Sequence, residues 1–338
     1  MTCAAAKVGN VILAAMSKLF RDVEGNAVCP QGSVVCIGAF DGLHRGHQAL
    51  VGHARARARS LGLPAVALSF EPLPREFFAT GDRPARLLLP RAKFEGLRQL
   101  GMDAVGLLRF NARLACTSAQ QFIERIVVDR LAAREVWVGP GFHFGKSRGG
   151  DIALLREAGL KLGFRAEQIE PVHFAGERVS SSRIRQHLAA GELDQAAAGL
   201  GRRYGISGKV VRGRGLGRGL GYPTANIRLL GKQAALDGIF AAWVHGIGAS
   251  PMAAVCSLGT RPTVGGVEPL LEAHVFDFDG DLYGQRLRVE FVAKLRGEEK
   301  FADLQSLVRQ MDADAAQARN LLQHDQFNLE PVRDHRRA

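Results

Sequence analysis

Between residues 33 and 175 the chain alternates two kinds of pattern, and after about residue 200 it abandons one of them. Short apolar and β-branched runs at 33–37, 64–70, 102–109, 135–138 and 164–172 read as strands. Segments at 48–60, 91–100, 118–131 and 151–162 carry helical spacing of apolar residues, the third with Thr117 or Ser118 as its N-cap. Strands joined through helices must run parallel, and near-continuous apolar strands need cover on both faces. The expectation is a doubly wound parallel sheet, Rossmann-like, with its ligand beyond the carboxyl ends of the strands. From 206 onward the runs 206–211, 238–245, 252–257, 270–278 and 285–293 are joined by Gly- and Pro-bearing turns without helices. That predicts a small antiparallel β-barrel, closed by a terminal helix over 300–322. The fold class is therefore α/β plus β, in two domains at 17–200 and 201–325, joined by an Ala-rich helical stretch at 189–203. A length of 338 residues suits two cores better than one.

The formal net charge is +12, which fits nucleic acid, phosphorylated small molecules, or solubility alone. Arginines are dense only at Arg55-Arg57-Arg59, which reads as a solvated helix face, and over 212–218. The longest apolar stretch, 11–16, is too short to span a bilayer. Five scattered cysteines without a CxxC argue against a disulfide framework or a thiolate zinc site and suit a reducing cytosol. Residues 1–15 make a poor signal peptide and read as a dispensable extension; Phe327–Ala338 read as a loose polar tail.

The first strand runs into Gly38-Ala39-Phe40-Asp41-Gly42-Leu43-His44-Arg45-Gly46-His47. The following helix aims free N–H groups and its positive dipole end at an anion. His44 and His47, three apart, share one side of the first turn, where two imidazoles can meet charge developing on a phosphoryl group. A structural pair is the plainer alternative, and a metal pair lacks a third ligand at suitable spacing. Far downstream, Ser180-Ser181-Ser182-Arg183-Ile184-Arg185 opens a helix, as caps or as hydroxyls and fixed positive charge for a polyphosphate.

The second half opens with Gly208-Lys209-Val210-Val211-Arg212-Gly213-Arg214-Gly215-Leu216-Gly217-Arg218-Gly219-Leu220-Gly221-Tyr222-Pro223-Thr224-Ala225-Asn226. An RNA-binding Arg/Gly segment is one reading; a glycine-rich loop over phosphates is the other. Thr224 and Asn226 fall on one side of an extended chain and offer the hard oxygens that Mg²⁺ prefers. Leu271-Glu272-Ala273-His274-Val275 alternates, so Glu272 and His274 share a face, solvated or carrying a general base.

These stretches are recognisable together. Strand, FDG turn, H-x-G-H and helix resemble the nucleotidyltransferases. From about 17 to 325 the chain resembles the bacterial bifunctional riboflavin kinase/FAD synthetase family. The likeness is carried by residues 36–50, 69–78 (SFEPLPREFF), 110–122, 136–151 and 179–185 in the first half. In the second it is carried by 217–226, 238–241, 259–263, 281–284 (DLYG) and 295–301 (LRGEEKF). The resemblance implies an N-terminal FMN adenylyltransferase using His44 and His47. Gly38, Phe40, Asp41, Gly42, Gly46, Ser181, Ser182, Arg183 and Arg185 would bind its ATP. It implies a C-terminal riboflavin kinase, a six-stranded barrel with Glu272 as catalytic base. There Gly208, Gly217, Arg218, Gly221, Pro223, Thr224 and Asn226 would bind Mg–ATP, with Thr224 and Asn226 on the metal. Substrates would be riboflavin, FMN and ATP, with Mg²⁺ as cofactor, FAD as final product, and neither nucleic acid nor membrane as partner. Three departures stand out: Ser182 where the family has threonine, Gly141 where it has an acidic or amide residue, and Arg214-Gly215 where acidic residues are common. A nucleotidyltransferase of other specificity, such as one acting on phosphopantetheine, would have no use for a kinase barrel.

Overall fold

The computed structural model describes residues 17–81, 84–213, 216–230, 232–263 and 266–325. The expected N-terminal extension, the C-terminal tail and Arg214-Gly215 lie outside them, as do the side chains of Arg218 and of 260–263.

Six parallel strands form the first sheet: β1 (Lys18–Phe20), β2 (Ser33–Ile37), β3 (Ala65–Glu71), β4 (Ala104–Arg109), β5 (Ala133–Val138) and β6 (Arg165–Gln168), in the order β1-β4-β3-β2-β5-β6. Alternate residues supply the two faces. Val34, Cys36, Ala67, Val105 and Trp137 pack under the helices Arg45–Leu61 and Pro90–Gln99. Val35, Ile37, Leu68, Leu108 and Val136 pack under the segment 119–130 and the helix Ile152–Leu162. Each fully buried valine, leucine or isoleucine among them contributes on the order of 1.5–3 kcal/mol. From β2 the chain moves one way to β3 and β4 and later the other way to β5 and β6. The topological switch point thus lies between the loops that follow β2 and β5.

Ser118 is the N-cap of the third predicted helix, in a reciprocal capping box with Gln121. That helix passes after one α-turn into a π-helix, Ile123–Arg130. The run expected as one strand over 164–172 ends at Gln168, and a small hairpin follows, β7 (His173–Phe174) with β8 (Glu177–Arg178). The joining stretch is two helices, Ser181–Ala189 and Leu193–Leu200, broken at Gly191.

The second half is a closed antiparallel barrel of β9 (Gly205–Val211), β10 (Ala225–Ile227), β11 (Gly238–His245), β12 (Met252–Thr263), β13 (Gly266–Val275) and β14 (Arg286–Arg296). Its order is β10-β13-β12-β11-β14-β9, and the pairing of β10 with β9 closes it. Phe240, Val244, Leu258, Leu271, Val289 and Phe291 fill the interior, and this core continues into Ile184, Leu188, Ala196 and Leu200 of the joining helices. The terminal helix Leu304–Gln323 lays Ala318 and Leu322 on Ala241 and Phe276 of the outer barrel wall.

Candidate active sites

The turn after β2 lies at the switch point, and two helix N-termini meet on it. His44 caps the helix Arg45–Leu61: its Nδ1 accepts from the His47 backbone N–H at 3.3 Å. That acceptor role puts the ring proton on Nε2. The His44 and His47 rings stack with centroids 3.7 Å apart, and Phe40 meets His47 edge-on. Gly46 makes room for the stack, since a Cβ there would stand 3.2 Å from the His44 ring. Ser181, opening the helix Ser181–Ala189, donates its hydroxyl to the Asp41 carbonyl at 2.8 Å. The two positive dipole ends are thereby aimed at one place.

Burial pulls the His44 pKa down to about 4, with Arg202 and Arg185 adding to the fall and Asp41 opposing it. His47 lies well below its ordinary value, again through burial, then through the neighbouring His44. Both shifts favour the neutral rings, and among the described residues His47 Nδ1 is buried without a hydrogen-bond partner. A polyanion in this turn would favour their charged forms and reverse the shift.

Asp41 is engaged on all sides by protein donors. Its carboxylate is buried, accepts from the Leu87 and Leu88 backbone N–H groups, and pairs with Arg75 and with Arg185 at 2.5 Å. Arg183 pairs with Glu177 and, among the described residues, its buried Nε has no partner, while Ser182 is exposed. Gly38 and Gly42 shape the turn itself.

Sequence patterning offered no sign of three buried groups behind this turn. Arg86 joins Glu71 and Glu76. Lys93, fully buried and pulled down to about 8 by desolvation, donates to Ser69 Oγ and the Phe70 carbonyl. Ser69 in turn donates to the Ala39 carbonyl at 3.0 Å. Phe77, Phe78 and Phe110 form an edge-to-face ledge, with Phe78 60% exposed, beside the carboxyl ends of β3 and β4. Phe77 and Phe78 lie in the stretch SFEPLPREFF, but nothing in that stretch marks them as exposed.

Gly141, in the loop after β5, has φ +72 and open space where a Cβ would project. Asn and Asp are the side chains that best tolerate this backbone region. The family's amide or acid therefore fits the same conformation. If the loop serves the adenylyl transfer that the resemblance implies, Gly141→Asn is expected to leave the fold intact and to lower the KM for FMN or ATP about 2- to 10-fold, the worth of one added hydrogen bond. An unchanged KM for both would remove this position from substrate binding.

In the barrel, two cavities share Thr224 as a common wall residue. One, of about 430 Å³, lies between the outer barrel wall and the terminal helix, with Ile239, Val255, Leu307 and Met311 as apolar lining and Glu272, His274 and Glu298 as polar groups. Burial raises the Glu298 carboxyl above its ordinary value. The other, of about 730 Å³, is lined by Arg212, Gly213, Pro223, Asn226, Asp281 and Tyr283. Asn226 is directly opposite Glu272 in the β10/β13 register, so the two side chains leave the sheet on the same side. Among the described residues, Asn226 Oδ1 is buried and has no hydrogen-bond partner, while its amide nitrogen donates to the Thr224 carbonyl at 3.4 Å. Gly217 lines the apolar cavity, and Gly221 turns the chain back into it. Gly208 lines neither; it packs against Ile227 and Arg228 inside the barrel.

The FAD synthetase family profile matches residues 27–183, and the riboflavin kinase profile matches 200–322. A bifunctional riboflavin kinase/FMN adenylyltransferase of Pseudomonas fluorescens is 45% identical over 292 residues, covering 86% of this chain and 93% of its own. The protein of that description from Escherichia coli K12 is 41% identical over 303 residues, covering 89% and 97%. A solved structure described as a macrolide-efflux protein from Streptococcus pneumoniae superposes with a TM-score of 0.75 at 27% identity, over 92% of this chain and all of that one. Both profiles in order along one chain, and relatives matched nearly end to end, show that this chain belongs to the bifunctional riboflavin kinase/FMN adenylyltransferase family.

Proposed function

We propose that the chain divides its two reactions between residues 17–200 and 201–325, each with its own ATP site. The barrel phosphorylates riboflavin to FMN, and the parallel-sheet half transfers AMP from ATP to FMN, giving FAD and pyrophosphate. The observation that carries the division is the stacked His44/His47 pair where two helix N-termini converge, far along the chain from the paired barrel cavities. Among the described residues, no helix is long and apolar enough to cross a membrane.

In the first half, a phosphate oxygen of FMN attacks the α-phosphorus of ATP and the bond to the β-phosphate breaks. The Nε2–H of His44, His47, Arg183 and the helix N-termini meet the charge spreading over the phosphoryl oxygens. The phenylalanine ledge offers a flat face for the flavin ring. In the barrel, the apolar cavity suits the flavin and the polar one the nucleotide. The terminal ribityl hydroxyl attacks the γ-phosphorus, Glu272 takes its proton, and ADP departs.

The orphaned Asn226 Oδ1 beside Thr224 fits Mg²⁺, a hard cation that prefers oxygen donors and completes its shell with water and phosphate. When bound there it neutralises charge on the nucleotide phosphates. Riboflavin, ATP and Mg²⁺ supplied together should yield FMN and then FAD by chromatography, and EDTA in excess should abolish both. FMN without FAD would retain the barrel assignment and overturn that of the first half.

A further inference from the structure

The turn that carries His44 holds three residues in the left-handed region, Phe40 (φ +48), Gly42 (φ +93) and Leu43 (φ +46). For the two non-glycine residues this costs on the order of 1–2 kcal/mol each, so neighbouring contacts must enforce it. Ser181, Leu87 and Leu88 hold Asp41 within this turn, and a further set of contacts comes from 198–202, a segment beyond the FAD synthetase match, whose last three residues open the riboflavin kinase match. Arg202 donates to the Gly42 carbonyl at 2.6 Å and to the Leu43 carbonyl at 3.2 Å. Gln48 bridges the Leu43 and Leu200 carbonyls at 2.8 Å each, and Arg45 donates to the Ala198 carbonyl at 2.7 Å. Arg202 lines neither barrel cavity.

We propose that Arg202 is a positioning residue for adenylyl transfer, its planar guanidinium clamping two successive carbonyls of the turn so that His44 and the helix behind it meet the nucleotide at a fixed angle. The first segment of the kinase half thereby completes the site of the other half. A fork is needed, because a lysine ammonium cannot match two carbonyls in fixed geometry. The inference rests on the adenylyltransferase reading of the first half.

The test uses the full chain, with FMN-to-FAD and riboflavin-to-FMN turnover measured separately. Arg202→Met should lower kcat for FAD formation roughly 10- to 100-fold, as small misplacements of reacting groups do, while KM for ATP and FMN moves less than about threefold. Kinase turnover should hold, which also reports that the chain is folded. Arg202→Lys should recover little. Undiminished kcat in Arg202→Met, a parallel fall in both activities, or full recovery in Arg202→Lys would each overturn the clamp. A wild-type chain that forms no FAD from FMN would instead sink the reading beneath it, before any variant is compared.

Discussion

Glu272→Gln should reduce riboflavin phosphorylation by about 10²- to 10⁴-fold, the contribution of a positioned general base, while FMN supplied from outside is still converted to FAD. The substitution keeps volume and hydrogen-bonding capacity and removes basicity alone. Its position makes the effect interpretable: Leu271 and Ala273 on either side are fully buried in the barrel, so core packing holds the strand that presents residue 272. Glu272 lines the apolar cavity and stands opposite Asn226 in the β10/β13 register. On the proposed reading, in which the nucleotide lies on the Asn226 side, a base there stands between the two substrates. Loss should appear in kcat, with KM for riboflavin little changed, because a base acts on the transition state and not on flavin stacking. Kinase kcat within threefold of wild type would remove Glu272 from the chemistry, and loss of both activities would make the defect one of folding.

The two-part architecture was legible because it is written in periodicity. Strands buried on both faces give unbroken apolar runs such as Ser33–Ile37, and strands facing a barrel interior alternate, as Leu271, Ala273 and Val275 do. The elements that escaped have little pattern to show. β1 and β10 are three residues each, held by pairing with β4, β13 and β9 and not by composition. The π-helix keeps helical amphipathicity, so its sequence reads as an ordinary helix. The site divides in the same way. His44, Ser181, Thr224, Asn226 and Glu272 are contiguous with motifs and fall at the turn or in the cavity walls. Asp41 also belongs to a motif, yet its environment comes from Arg75, Arg185 and the Leu87–Leu88 backbone, all remote in sequence. Burial and long-range pairing decide what a charged side chain does, and neither is visible in a local window.

His44→Asn is the sharper test of the first half than the alanine variant. Alanine would remove the imidazole and the helix N-cap together, and a lost cap alone costs about 0.5–2 kcal/mol. Asparagine keeps a cap acceptor while removing the Nε2–H donor and the ring that stacks on His47. FAD formation should fall by roughly 10²- to 10³-fold, as when one preorganised donor to a developing charge is deleted, while FMN accumulates from riboflavin. The pH behaviour follows from the depressed pKa of about 4. Since kcat/KM reports the free enzyme, His44 should contribute no inflection near pH 6.5. Stability moves the other way from a salt-bridged histidine. The unfolded chain binds a proton near pH 6.5 that the folded chain refuses until about 4, so the stabilising difference is intact above 6.5 and is lost progressively as pH falls toward 4. The unfolding midpoint of the wild type should therefore drop more steeply between pH 6.5 and 4 than that of His44→Asn. An inflection near 6.5 that disappears in the variant would mean that His44 is charged in the free enzyme. Parallel stability curves would mean that its burial does not govern its proton.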